Sequence, residues 1–187
     1  GYTFVSATGA HGTITKAPDG TYTYSLTSAV THTGTGTDSV VGDHVNLQLQ
    51  DAYGNKFTVS VPVTVKDDVP TLSVDTQATG SYGHAVTGSV DLNFGADGAD
   101  SLTVKLNNGS EVTGTKVANG YSFDMGSGHT LTLDSTTGDF SYKGVPTSGE
   151  AKDYTFTFTA TDKDGDTATA TTTAKIAATD LSKVTGT

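Results

Sequence analysis

The 187-residue sequence predicts an all-β chain made of two copies of one β module. Three observations carry that expectation. Apolar and polar residues alternate with a period of two in segment after segment, whereas no stretch offers a capped apolar stripe at helical spacing. Thr and Val fill those segments, while Gly, at 23 residues, shares the gaps between them with Asp and Asn. Three short stretches also recur in order. Gly1-Tyr2-Thr3-Phe4 matches Gly120-Tyr121-Ser122-Phe123, Gly20 to Tyr24 matches Gly138 to Tyr142, and Asp51 to Asn55 matches Asp162 to Asp166.

In order along the chain, Tyr2 to Val5 and Gly12 to Lys16 read as strands, and Ala17-Pro18-Asp19-Gly20 reads as a turn. Thr21 to Leu26 alternates with Tyr22, Tyr24 and Leu26 on one face. From Thr27 to Asp43 the alternation lapses into a Thr-, Gly- and Asp-rich loop longer than most connections. His44 to Gln50 and Phe57 to Val65 are paired strands around an Asp51–Asn55 turn, and Pro62 places the second of them at an edge or a bulge. After Lys66-Asp67-Asp68-Val69-Pro70 the pattern restarts at Thr71. Further strands are expected at 72–74, 85–94, 101–106, 111–116, 121–125, 130–133, 140–142, 154–161 and 167–176. These boundaries give modules at 1–70 and 71–178, with a polar tail at 179–187. The first copy lacks a counterpart to residues 71–117, so either it begins within a module or another element closes its sheet.

Charge narrows the partners. With 20 acidic and 10 basic residues the formal net charge is -10, which disfavours nucleic acid and anionic membranes and favours divalent cations as counter-charges. The absence of Cys removes disulfide and thiolate chemistry. No apolar run reaches membrane-spanning length, and no signal peptide opens the sequence, so the residues read as an internal segment whose export signal, if any, lies elsewhere. There is no nucleophile elbow and no phosphate-binding glycine loop, so an enzyme is not expected.

The acidic turns are the candidate chemistry. Strands that run up and down between two poles allow the direction of every loop to be counted. On that count the linker Asp67-Asp68, the loop holding Asp97 and Asp100, the turn at Asp134, and the turn holding Asp162, Asp164 and Asp166 share one end. Calcium takes six to eight oxygens in a flexible geometry, and Asp-x-Asp-Gly-Asp supplies alternating carboxylates with a Gly to let the backbone turn. Zinc is disfavoured, because Cys is absent and His11, His32, His44, His84 and His129 show no close ligand spacing. The loop 27–43 falls at the same pole and carries His32, Asp38 and Asp43, followed by His44. A ligand-binding loop and an idle insertion both remain open there.

Asp162-Lys163-Asp164-Gly165-Asp166 before a Thr-rich strand, Lys66 to Pro70 closing a module, and Gly95-Ala96-Asp97-Gly98 after an early strand together resemble the tandem immunoglobulin-like repeats of giant type I-secreted bacterial adhesins with repeats-in-toxin sequences. That resemblance covers most of the chain. It implies secreted, calcium-stiffened immunoglobulin-like β-sandwiches at a bacterial cell surface. The implied partners are adjacent adhesin modules and a peptide, protein or glycan of a host or neighbouring cell, with a peptide- or protein-binding region supported by calcium. A purely structural extender and a glycan-binding module are the alternatives. The implied calcium turns are Asp51 and Asn55, Asp67 and Asp68, Asp97 and Asp100, and Asp162, Asp164 and Asp166. Tyr53 departs from the pattern by standing where the second copy has Asp164.

Overall fold

A computed structural model describes residues 1–27, 30 and 40–179. The chain folds as two compact units, Gly1–Asp68 and Val69–Thr187, and the described secondary structure is all strand. Both units are immunoglobulin-like β-sandwiches, built in tandem.

The first unit contains β1 (Thr3–Gly9), β2 (Gly12–Lys16), β3 (Tyr22–Leu26), β4 (Val40–Gln50) and β5 (Lys56–Lys66). One sheet has the order β1-β4-β5 and the other is the β2-β3 hairpin. Its interior is thin. Val45 and Val65 are buried, yet Phe57, Val59 and Val61 on the same face of β5 remain 38%, 39% and 37% exposed. Pro62 pairs with His44 on β5, the edge strand of its sheet, where a residue without an N–H is tolerated.

The second unit contains β6 (Thr71–Val74), β7 (Val86–Asn93), β8 (Ala99–Leu106), β9 (Glu111–Thr113), β10 (Thr115–Val117), β11 (Gly120–Asp124), β12 (Thr130–Asp134), β13 (Asp139–Lys143), β14 (Lys152–Asp162) and β15 (Thr167–Ile176). They form a six-stranded sheet, β10-β11-β12-β13-β7-β6, and a four-stranded sheet, β15-β14-β8-β9. The single strand expected over 111–116 breaks at Gly114, so β9 joins one sheet and β10 the other. Gly114 donates its N–H to the Leu102 carbonyl at 2.8 Å, and a Cβ there would meet the Phe123 ring at 2.7 Å, so the crossing needs a residue without a side chain.

The core of the second unit follows from the alternation of β14. Tyr154, Phe156, Phe158 and Ala160 point inward and are buried against Phe140, Tyr142, Leu102 and Val104. Phe140 packs on Phe156 and Phe158 with ring centroids at 5.5 and 5.4 Å. Such tilted aromatic pairs are worth ~0.5–1.5 kcal/mol each beyond the area they bury. The other face of β14 explains the Thr content. Thr155, Thr157 and Thr159 share hydroxyl hydrogen bonds with Thr173, Thr171 and Thr169 of β15 at 2.9, 3.0 and 3.2 Å.

The two units share a register, with one difference. If Asp51 corresponds to Asp162, Leu49 and Leu47 of β4 correspond to Ala160 and Phe158 of β14. β14 pairs those residues with Leu102 and Val104 of β8, whereas β4 pairs its own with Phe4 and Ala7 of β1. β1 therefore occupies the place of β8, and the sequence match that equated it with β11 does not describe its position. A central strand needs a neighbour on each side, and the first unit has no counterpart to β8 to supply one. A register shift between Phe4 and Ser6 keeps the two ladders in step.

The same correspondence sets Asp43 of β4 against Tyr154 of β14. In the second unit Tyr154 stacks on Tyr142 at 5.8 Å. In the first, the Tyr24 hydroxyl, in the place of Tyr142, donates to Asp43 Oδ2 at 2.5 Å. The backbone N–H groups of His11 and His44 donate to the same carboxylate at 3.3 and 2.7 Å. The Tyr24 hydrogen bond, opposed by burial, holds the Asp43 carboxyl below its ordinary range, and the same hydrogen bond pushes Tyr24 up to about 12.

Two outcomes follow. A depressed carboxylate stabilises the fold above its unfolded-state value and loses that contribution as pH falls through the folded one, so the first unit should weaken below about pH 4. Urea melts of wild type and Asp43→Asn between pH 5 and 2 should show the variant already weakened at pH 5 and flatter in pH. In the second unit Phe158→Ala should cost ~3–5 kcal/mol, while Phe57→Ala in the thin first unit should cost under ~2 kcal/mol in the same melts.

Candidate metal centre

The hairpin turns after β4 and β14 share a backbone and differ in charge. In the first, Asp51 Oδ1 accepts from the N–H groups of Tyr53 and Asn55 at 2.8 and 2.9 Å, and the Asn55 amide donates to Asp51 Oδ2 at 2.9 Å. In the second, Asp162 Oδ1 accepts from the N–H groups of Gly165 and Asp166 at 3.1 and 2.8 Å. Asp166 now stands in the place of Asn55, and a carboxylate cannot donate. Asp162 Oδ2 is consequently buried with no hydrogen-bond donor among the described residues. Gly54 and Gly165, with φ of 89° and 104°, adopt the left-handed turn that both hairpins require.

Burial explains the charge state of Asp162. The inward alternation of β14 ends on it, leaving it 1% exposed. Desolvation, reinforced by the neighbouring Asp164 carboxylate, raises its pKa to about 6, against the backbone donors that lower it. The loop holding Asp97 lies beside this turn, because the Lys163 N–H donates to the Gly98 carbonyl at 3.2 Å and Ala99 pairs with Asp162.

Five carboxylates of the loops and the linker come together in two sets. Asp67, Asp164 and Asp166 each present an oxygen within 4.8 Å of the others, and so do Asp67, Asp68 and Asp97. Oxygens held 2.3–2.6 Å from one ion are separated by up to roughly twice that distance, so each set can coordinate a divalent cation, with Asp67 common to both. Asp67 and Asp166 are buried, Asp97 and Asp164 half-buried, and Asp68 exposed.

The remaining expected ligands fall elsewhere. Asp162 supports the turn from beneath and belongs to neither set. Asp100 lies exposed on β8 outside both sets. Asp51 and Asn55 bond to each other at the end of the β4–β5 hairpin opposite Asp67, and β5 at ~3.4 Å per residue separates them from it by ~35 Å. Of the loop residues, His32 and Asp38 lie outside the described residues, Asp43 is spent inside the first unit, and the exposed His44 follows it. The Asp43–Tyr24 bond escaped the strand pattern. The 111-residue offset between the two turns, which sets Asp43 opposite an aromatic core residue, is the signal that would have shown it.

Neither a family model nor a curated protein matches the sequence. Solved structures do. Mouse clustered PcdhgC3 EC1-3 is 12% identical with a TM-score of 0.34, over 92% of this chain and 56% of that one. The human Desmocollin-1 ectodomain is 12% identical with a TM-score of 0.40, over 96% and 34%. The Protocadherin GammaB4 extracellular domain is 17% identical with a TM-score of 0.36, over 94% and 26%. This chain thus spans about half or less of the structures it is similar to. These findings correct the resemblance to bacterial adhesins: the similar structures are protocadherin and desmocollin extracellular domains. The repeats-in-toxin assignment and the bacterial cell-surface location are therefore withdrawn. At such identities and TM-scores the likenesses add nothing to the fold described above.

A raised Asp pKa contributes stability that is full below the unfolded value near 3.8 and lost as pH rises through about 6. In chelator, calorimetry of the second unit's transition should therefore give a lower melting temperature at pH 7.5 than at pH 5. Saturating divalent cation should narrow that gap, because a bound cation at Asp164 offsets the negative charge that opposes ionisation of Asp162.

Proposed function

We propose that this chain is a calcium-stabilised structural segment of a cell-surface adhesion protein, an extender in which bound calcium fixes the linker residues Asp67 and Asp68 to the acidic turns. The observation that carries the reading is the position of Asp67, buried and shared by two carboxylate sets. All the ligands offered are oxygens, as calcium prefers, and their spread over a linker and two loops suits an ion that accepts irregular geometry. Without the ion the carboxylates repel one another across a few ångströms; with it they become its coordination shell. Asp67, Asp68, Asp97, Asp164 and Asp166 are the ligands on this reading, and Asp162 is their support. The partners are adjoining modules of the same polypeptide and proteins of apposed cell surfaces. A peptide-binding role for loop 27–43 gains no support from Asp43, whose carboxylate is spent inside the fold.

Calcium at a hundredfold excess over its dissociation constant should stabilise the protein by about 2.7 kcal/mol, a rise of roughly 10 °C in melting temperature. Identical melts in calcium and in chelator would sink the proposal. Asp164→Asn should lower calcium affinity by roughly tenfold, the scale of one lost charged ligand, while raising the chelator melt at neutral pH, because it removes a charge that opposes ionised Asp162. Isothermal titration with calcium beside a chelator melt reads both quantities.

A further inference from the structure

The first unit leaves open a face that the second unit covers. Tyr22 of β3 is 42% exposed, whereas Phe140, in its place on β13, is 1% exposed. Val61 of β5 is 37% exposed, whereas Thr172, in its place on β15, is 1% exposed. Phe57, Val59 and Leu26 are open to a similar degree. Contiguous apolar surface of this kind marks a place where another polypeptide packs. In the second unit β7 pairs with the outer edge of β13, and β6 continues that sheet to lie against β15. The first unit has no strand in either place among the described residues.

The outer edge of β3 is fit to accept one. The Ala17 N–H donates to the Thr21 carbonyl at 2.9 Å and the Thr27 N–H to the His11 carbonyl at 3.0 Å, so the odd-numbered residues here turn their backbone groups to β2. Those of Tyr22, Tyr24 and Leu26 therefore face outward, where β3 has no neighbour among the described residues. Gly138, in the place of Gly20, uses the same side to accept the Val90 N–H at 2.7 Å. β3 holds neither proline nor charge, the devices that close an exposed edge, whereas β5 carries Pro62 between Lys56 and Lys66.

Sheet geometry selects the occupant. Outward backbone groups beside apolar side chains call for an extended polypeptide, which pairs with the edge while its alternate side chains fill the face. A second copy does not fit. Were it to offer its own β3, its β1-β4-β5 sheet would enter the space over β5 that a single layer fills in the second unit. The second unit also shows which side chains are required. Gly88 stands opposite Phe140, where a Cβ would meet the ring at 2.6 Å, and Val86 and Val90 on either side of it are buried. That cover comes from the same polypeptide, out of the strands that follow directly on the linker. We propose that two strands of an adjoining module of the same polypeptide close the first unit. One pairs antiparallel with β3, with a small residue opposite Tyr22 and β-branched apolar residues two positions to either side. This goes beyond the proposed extender and takes from it only that other modules adjoin this chain.

Amide hydrogen exchange in chelator, on this chain alone and on the longer polypeptide that includes its neighbouring modules, tests this. The Tyr22, Tyr24 and Leu26 amides should exchange roughly a hundredfold more slowly in the longer polypeptide. Leu26→Pro removes an outward N–H, and Val61→Lys charges the open face. Each should lower the first unit's melting temperature in the longer polypeptide and leave it nearly unchanged in this chain alone. Equal exchange in the two, protection in this chain alone that rises with its concentration, or substitutions that act alike in both would each overturn the assignment. With chelator throughout, none of these outcomes bears on the calcium melt, so the two readings fail separately.

Discussion

An aspartate that accepts the backbone N–H groups of its own hairpin turn closes the long hairpin of each unit. β4 leads into Asp51, which is half-buried, and the inward alternation of β14 ends on Asp162, which is buried. That geometry costs little when a neutral amide closes the ring, as Asn55 does. With a second carboxylate at that position the same ring becomes a charge problem, and a cation is the general solution to it. The difference between a quiet hairpin and a metal-ready one is thus Asn against Asp at a single turn position, reinforced by Asp164 where the first copy has the fully exposed Tyr53.

The units treat their cores unequally for a related reason. In the second, two sheets of six and four strands enclose Phe140, Phe156 and Phe158 completely. In the first, three strands face two, and the equivalent interior is held partly by a polar device, the Tyr24–Asp43 hydrogen bond, where the second unit stacks two tyrosine rings. Hydrogen bonding to a buried carboxylate specifies geometry well but adds little net stability once desolvation is counted.

Most strands were legible because period-two alternation marks them directly, as in Tyr22, Tyr24 and Leu26 or Tyr154, Phe156 and Phe158. Counting strand directions needs only strand number, and of the residues it groups, Asp67, Asp68, Asp97, Asp164 and Asp166 fall in a carboxylate set while Asp100 and Asp162 do not. Three features were not legible. The break at Gly114 depends on the Phe123 ring crossing beneath it, a contact 9 residues away that alternation does not encode. The position of β1 depends on what is absent beside β4, so local likeness to β11 misleads. Burial of Asp43 is invisible because a strand-end aspartate after a polar loop looks like a solvated one. Of the expected ligands, Asp51, Asn55 and Asp100 show the limit of motif matching: the turn chemistry repeats, but position along the strand decides which carboxylates meet.

Pro62 has a consequence beyond its own strand. β5 is eleven residues long, valine-rich, and forms the outer edge of its sheet, with apolar side chains still partly open to water. Such an edge invites a foreign chain to add itself as the next strand, the first step towards fibrillar aggregation. Register with β4 is kept through the His44–Pro62 pair, so the missing donor falls on the outer side, and Lys56 and Lys66 place a positive charge at each end. One imino acid and two lysines thereby guard this edge against pairing with its own copies.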